Sequence, residues 1–461
     1  MTGKKPNGDR EADRIDPFDG FRQFLALEPD VLVLSLAMFA FSLGFQMTSR
    51  YVPEYMTALG ASAFVVGLFG TFGNVIGAAY PYPGGAISDR IGSRHALTIF
   101  GAVSTLGFLV WLLAPMAADV PVAGIGNLAI LLVFFGLLLS QAWKSFGLGA
   151  TFAIVKQSVP PARLAAGFAS TETFRRTAFL VGPLLAAAVF FPFGSADAEV
   201  VTAFQGVLVI AVVFGVLGTA AQHFLYDSTG DSFGKSFEGL AQVVDDLRTL
   251  PPELRPLLVG DTLVRFANGM VYVFFVIVVT RFLEVGLEVT VPGIGDLAFS
   301  PQSYFGLLLG AEMVVALLVM VPAAKAAERV GLKPVVAAGF AVYALFPVLL
   351  INAPPSAAVL AALFAFSGLR FAGLPAHKAL IVGPAEAGAG GRVTGTYYLL
   401  RNLVVIPSSA LGGAIYGGVS LPGVGELYAG SPTLAFGIAS AVGLAGTGYF
   451  LAFGEEFDAY A

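Results

Sequence analysis

Pro83–Arg94 reads PGGAISDRIGSR, and Pro322–Lys333 reads PAAKAAERVGLK. Laid over each other without a gap, the two stretches share a proline, an acid (Asp89, Glu328), an arginine (Arg90, Arg329), a glycine (Gly92, Gly331) and a final cation. Each is a short polar break between long apolar runs. A second pair follows: Lys144, Gly147, Leu148 and Ala150 align with Arg370, Gly373, Leu374 and Ala376. The same alignment runs on without a gap to match Arg175 with Arg401. Charges that recur at equivalent places in equivalent apolar runs mark an internal repeat, a building plan of polytopic membrane proteins.

The composition agrees. Of 461 residues, 57% are hydrophobic and only 12% charged, and the mean hydropathy is +0.82. Soluble domains carry about 25% charged residues. Too few polar side chains exist to cover a soluble surface, so lipid is the solvent for most of the chain. Runs long enough to cross a bilayer predict twelve helices: 31–55, 62–83, 95–115, 124–156, 164–191, 199–226, 254–282, 302–325, 334–352, 355–382, 394–418 and 431–453. Internal glycine and proline, as at Gly182-Pro183, are tolerated because neighbouring helices satisfy the freed backbone groups. The fold class is therefore all-α integral membrane, with about twelve helices in two pseudo-symmetric six-helix halves.

The repeat divides the chain into a tail (1–30), a first half (31–226), a linker (227–253), a second half (254–453) and a short tail (454–461). Within the linker, Phe237, Leu240, Val243, Val244 and Leu247 recur at helical spacing, with Asp245, Asp246 and Arg248 between them. This spacing predicts an amphipathic helix at the membrane surface. Orientation follows from the cations. With the N-terminus inside, seventeen of the 25 Lys and Arg fall in inner segments and six inside spans, leaving only Arg50 and Arg281 in outer ones. The positive-inside rule then places both termini in the cytoplasm of a multi-pass plasma or inner membrane protein.

The break between the second and third spans resembles a signature of the major facilitator superfamily, G-x-x-x-D-R-x-G-x-R, filled here by Gly85, Asp89, Arg90, Gly92 and Arg94. Glu328, Arg329 and Gly331 repeat it in the second half. The resemblance covers 31–453. It implies a secondary transporter working by alternating access, in which this motif stabilises one conformation. A second signature of the superfamily, an arginine ahead of a glycine-rich stretch in span four, is displaced: Trp143 stands in its place and Lys144 follows. Span ten shows the same shift, with Leu369 before Arg370.

Charges inside spans are costly and mark function by default. Lys144 and Arg175 each lie twelve residues from an inner-end cation (Lys156, Arg163), a depth of roughly 18 Å at helical rise. The repeat gives Arg370 and Arg401 matching depth. Six span cations face three span acids, Glu172, Asp261 and Glu312. That excess predicts an anionic small-molecule substrate held by Lys144, Arg175, Arg370 and Arg401, with Gln46, Gln141, Asn268 and Asn402 lining the same cavity. Glu172–Arg176 and Asp261–Arg265 have the spacing of pairs on one helix face. Glu312 has no such partner and is the first candidate for proton coupling, ahead of Asp261 and Glu172. A proton-driven exporter of hydrophobic compounds is the alternative, and a non-transporting receptor a further one.

With no cysteine and only His95, His223 and His377, thiolate sites and histidine metal clusters are excluded. No catalytic constellation is visible, so neither enzymatic activity nor a cofactor is expected. The expected partners are the substrate, a proton or other ion and the bilayer. No nucleic acid and no second copy of the chain are called for.

Overall fold

A computed structural model describes residues 29–80, 90–144, 164–226, 251–293, 295–384, 390–421 and 425–456. The amphipathic stretch predicted at 237–247, together with Gly85, Asp89 and the side chain of Glu172, lies outside them.

Helices occupy all twelve predicted spans. In the first half they are α1 (Pro29–Thr48) with α2 (Val52–Ala58), α3 (Ala63–Ala79), α4 (Ser93–Leu113), α5 (Leu128–Ala142), α6 (Leu164–Phe190) and α7 (Asp197–Leu225). In the second they are α8 (Arg255–Val271), α9 (Pro301–Val330), α10 (Leu332–Ile351), α11 (Ala357–Gly368) with α12 (Leu374–Val382), α13 (Gly390–Val405) with α14 (Ser408–Gly417), and α15 (Pro432–Phe453). Short 3-10, α and π turns carry α8 on to Phe282. Among the described residues, nine helices are long and apolar enough to cross a membrane, and α1–α2, bent by 42°, makes a tenth. Two shorter apolar helices, α3 and α5, stand at the remaining predicted positions. The chain is a multi-pass membrane protein.

The repeat is visible in the backbone. Gly92 (φ 83, ψ 152) precedes α4, and Gly331 (φ 90, ψ 164) precedes α10. Such angles are open essentially to glycine alone. One expectation needs correcting: the eighth span, predicted to end at 325, continues as α9 to Val330, passing through Pro322 and stopping only at Gly331. At Gly331 an added Cβ would also lie 2.5 Å from Glu456 Oε2, which accepts the Lys333 backbone N–H at 2.8 Å. Gly331→Ala should therefore cost about 1–3 kcal/mol from backbone strain alone, read as a lower denaturation temperature. The same change at exposed Gly448, helical and open-sided, should be neutral or stabilising.

Three antiparallel hairpins, which the sequence reading did not anticipate, occupy the loops after α4, α8 and α14. They are β1–β2 (Pro121–Val122, Gly126–Asn127), β3–β4 (Leu287–Val291, Gly295–Phe299) and β5–β6 (Val419–Leu421, Gly425–Tyr428). All three loops lie at one end of the bundle. The halves also meet there. Gly67 on α3 and Gly413 on α14 come so close that a Cβ on Gly67 would lie 2.5 Å from Ser409 O and 2.9 Å from Gly413 Cα. Small residues let membrane helices approach in this way. Tyr51 is fully buried between the halves, stacked on Phe190 of α6 and edge-on to Phe305 of α9.

Arg50 and Arg281, assigned to outer segments, lie at this seam. Arg50 follows the α1 bend, lies over the Tyr272 ring at 4.2 Å and comes within 3.7 Å of Glu312. Arg281 donates to Glu54 at 3.0 and 3.1 Å and to Asp197 at 2.7 Å. Carboxylates of the other half compensate both charges, Glu54 and Asp197 by accepting hydrogen bonds from Arg281 and Glu312 as the nearest anion to Arg50.

Candidate functional site

A cavity of about 760 Å³ lies between the halves. From the first half, α3 contributes Gly70, Gly73 and Asn74, α5 Gln141 and, just past its end, Lys144, and α6 Arg175. From the second, α8 contributes Arg265 and Asn268, the following turn Tyr272, and α13 Arg401 and Asn402. Two cations from each half thus converge on one space, and among the described residues no carboxylate lines it.

The displaced span-four signature has a local cause. Trp143 is buried, stacks on Phe41 at 4.5 Å and donates its indole N–H to Gln222 Oε1 at 3.0 Å. The place of the superfamily's arginine is thus spent on packing. The backbone turns to π geometry at Trp143–Lys144, and Lys144 emerges exposed to the cavity, its Nζ 5.9 Å from the Phe45 ring centroid.

In the second half the cations are organised by one acid. Asp261 is fully buried. Its Oδ1 accepts from Arg265 Nε at 3.2 Å, and its Oδ2 from Arg401 NH1 at 3.0 Å and Tyr397 OH at 3.2 Å. The guanidinium groups pack over aromatic faces, Arg265 over Tyr343 at 4.6 Å and Arg401 over Tyr398 at 4.6 Å. Arg401 is further held by Asn402 Oδ1 at 3.1 and 3.2 Å. The i,i+4 spacing had indicated the Asp261–Arg265 pair, but not that Arg265 reaches the cavity.

Arg370 does not line the cavity. It is buried, and its guanidinium donates to Glu312 Oε1, which also accepts from Ser367 Oγ at 3.3 Å. Glu312 is thus not a lone carboxylate. The repeat explains the asymmetry: the offset that pairs Asp89 with Glu328 pairs Glu312 with Gly73. No acid stands there to draw Lys144 aside, and Gly73 lines the cavity instead. Gln46 is also elsewhere, packed where α1 crosses Gly182. At the motif, Arg90, Glu328 and Arg329 are exposed, while Arg94 Nε donates to His223 O at 2.6 Å.

Comparison with solved structures places this architecture. The nucleoside transporter NupG (D323A mutant) superimposes with a TM-score of 0.71 at 11% identity, covering 92% of this chain and 100% of that one. A POT family transporter in complex with 5-aminolevulinic acid gives 0.68 at 13%, covering 94% and 99%. The chain has the major facilitator superfamily fold. A bacterial metal transporter matches at 0.63 and 13% identity, over 93% and 99%. No protein-family model and no curated protein matches the sequence. At these identities the likeness is one of fold. In that frame the cavity sits between the two six-helix halves.

Proposed function

We propose that this chain is a secondary active transporter that carries a small organic or inorganic anion by alternating access, as a monomer in a plasma or inner membrane. The observation that carries this reading is the convergence of Lys144, Arg175, Arg265 and Arg401, two from each half, on one cavity without a lining carboxylate. Asp261 offsets one of the two charges of Arg265 and Arg401, so the second half alone presents excess positive charge to the cavity, which an anion would neutralise. Arginine grips carboxylate or phosphate with two parallel N–H bonds. The amides of Asn74, Gln141, Asn268 and Asn402 add neutral donors around the same space. Because the anion would touch both halves, its binding would be sensitive to their relative tilt. With both termini cytoplasmic, the Glu54 end faces outward. The similar structures, of a nucleoside transporter, of a POT family transporter in complex with 5-aminolevulinic acid and of a bacterial metal transporter, support small-solute transport on this fold.

Thermal stabilisation of the purified protein by a panel of carboxylates, phosphate esters, inorganic anions and lipophilic cations tests this. A ligand at a hundred times its Kd adds about 2.7 kcal/mol to the folded state. One anion class should stabilise the protein, and Arg401→Gln should abolish the effect. Stabilisation by lipophilic cations alone would overturn the proposal.

A further inference from the structure

We infer that His377 carries the coupling proton, and that its protonation frees Arg401 from Asp261 so that proton and anion bind together. The inference rests on the anion-binding reading of the cavity and deepens it.

His377, on α12, is 4% exposed. Its Nε2 lies 3.3 Å from Asp261 Oδ2 yet has no hydrogen-bond partner. Asp261 from α8, the Tyr397 ring from α13 at 6.0 Å and the Phe340 ring from α10, edge-on at 5.8 Å, face it, and Arg265 and Arg401 reach the same carboxylate. Lys378, next to it in sequence, points outward and is exposed. The crowding is at one atom. Asp261 Oδ2 already accepts from Arg401 and Tyr397, and a carboxylate oxygen has two lone pairs. A third donor can enter only by displacing one of these.

A neutral imidazole can leave Nε2 as an acceptor, which suits the unbonded geometry. Taking a proton from water makes both ring nitrogens donors and adds a charge beside the carboxylate. The imidazolium then takes the Oδ2 position. Tyr397 OH also reaches Leu257 O at 3.3 Å, but Arg401 is the donor that an imidazolium repels, and it has room to leave: it lines the cavity and keeps Asn402 and the Tyr398 ring. The positive charge of the site rises by one, on the cavity side. Binding linkage is reciprocal, so an anion that draws Arg401 away raises the proton affinity of His377 by the same factor. Neither Glu312, already paired with Arg370, nor Asp261, shared by two arginines, needs to change protonation.

Two measurements on the full chain in nanodiscs test this. The first uses no substrate. With only three histidines, ¹⁵N-histidine spectra are assigned by the signal missing in His377→Gln. The titration midpoint of His377 should rise in Arg401→Gln, because Asp261 has lost a competing cation. An unchanged or lower midpoint would overturn the competition. The second records proton uptake on addition of sulfate, succinate or glucose 6-phosphate, and the pH dependence of their binding. One linked proton strengthens binding by at most about tenfold per pH unit of acidification. Wild type should take up about one proton per anion bound, and His377→Gln should bind without uptake. Uptake that persists in His377→Gln would refute the assignment to this residue. If none of the three binds to wild type while the midpoint shift holds, the coupling falls with the anion cavity, and only the competition for Asp261 survives.

Discussion

Arg370→Met is expected to destabilise the protein by about 3–5 kcal/mol, the usual cost of leaving one member of a buried ion pair uncompensated. The side chains of Arg370 and Glu312 are 3% and 4% exposed. Without Arg370, Glu312 keeps only Ser367 Oγ at 3.3 Å and the more distant Arg50 at 3.7 Å. Glu312→Gln should also be costly, since it strands a buried guanidinium. The double variant Glu312→Gln/Arg370→Met should recover most of the loss. Desolvating two charges consumes much of what their attraction returns, and Arg370 Nε has no partner even in the intact pair. Thermal unfolding followed by tryptophan fluorescence, from Trp111 and Trp143 only, would rank the four proteins. If Arg370→Met were as stable as wild type but bound no anion, Arg370 would belong to the substrate site and not to the scaffold of the second half.

This contrast shows what the sequence can and cannot carry. The twelve spans and the two halves were legible because both depend on local properties: runs of apolar side chains, and charges repeated at fixed offsets. Gly92 and Gly331 were legible for the same reason, as paired glycines in paired motifs, and their matching positive φ follows from the repeat. Helical rise predicts a depth for Lys144, Arg175, Arg370 and Arg401, but depth does not give direction. Whether a cation faces the cavity depends on acids from other helices. Glu312 on α9 takes Arg370, whereas the equivalent Gly73 leaves Lys144 in the cavity. Arg265 was hidden by its i,i+4 acid, which pairs with it without removing it from the cavity. The hairpins escaped because their strands are two to five residues long, too short to show a period against an apolar background. Glu54, Tyr397 and His377 left no signal at all. Each acts through partners on other helices, and the partners of Glu54 lie 226 to 248 residues away.

Glu54 carries the other large expected effect. It sits at the end of the bundle where the halves close, and its side chain is fully buried. Its oxygens accept from Thr280 Oγ1 at 3.0 Å, from Arg281 Nε at 3.0 and 3.1 Å and from Gln302 Nε2 at 3.1 Å. Every one of these donors comes from the second half, so one carboxylate of the first half holds three side chains across the seam. Glu54→Gln removes the charge and turns one acceptor into a donor that faces other donors. Hydrogen bonds to a charged group contribute about 1.5–3 kcal/mol, and 1.4 kcal/mol shifts a two-state population about tenfold. The Arg281 side chain is 29% exposed, which brings the expected loss toward the lower end. The closed end should therefore open at least about tenfold more often. The chain has no cysteine, so Ala187→Cys, placed in the seam where Ser303 Oγ donates to Ala187 O at 2.8 Å, gives a reporter without background. Membrane-impermeant maleimide should label Ala187→Cys slowly, and the Glu54→Gln/Ala187→Cys variant at least about tenfold faster. Equal labelling rates would mean that the glycine and aromatic packing of the seam closes it unaided. Faster labelling would place much of the free energy of closure in the carboxylate, whose contribution depends on its charge.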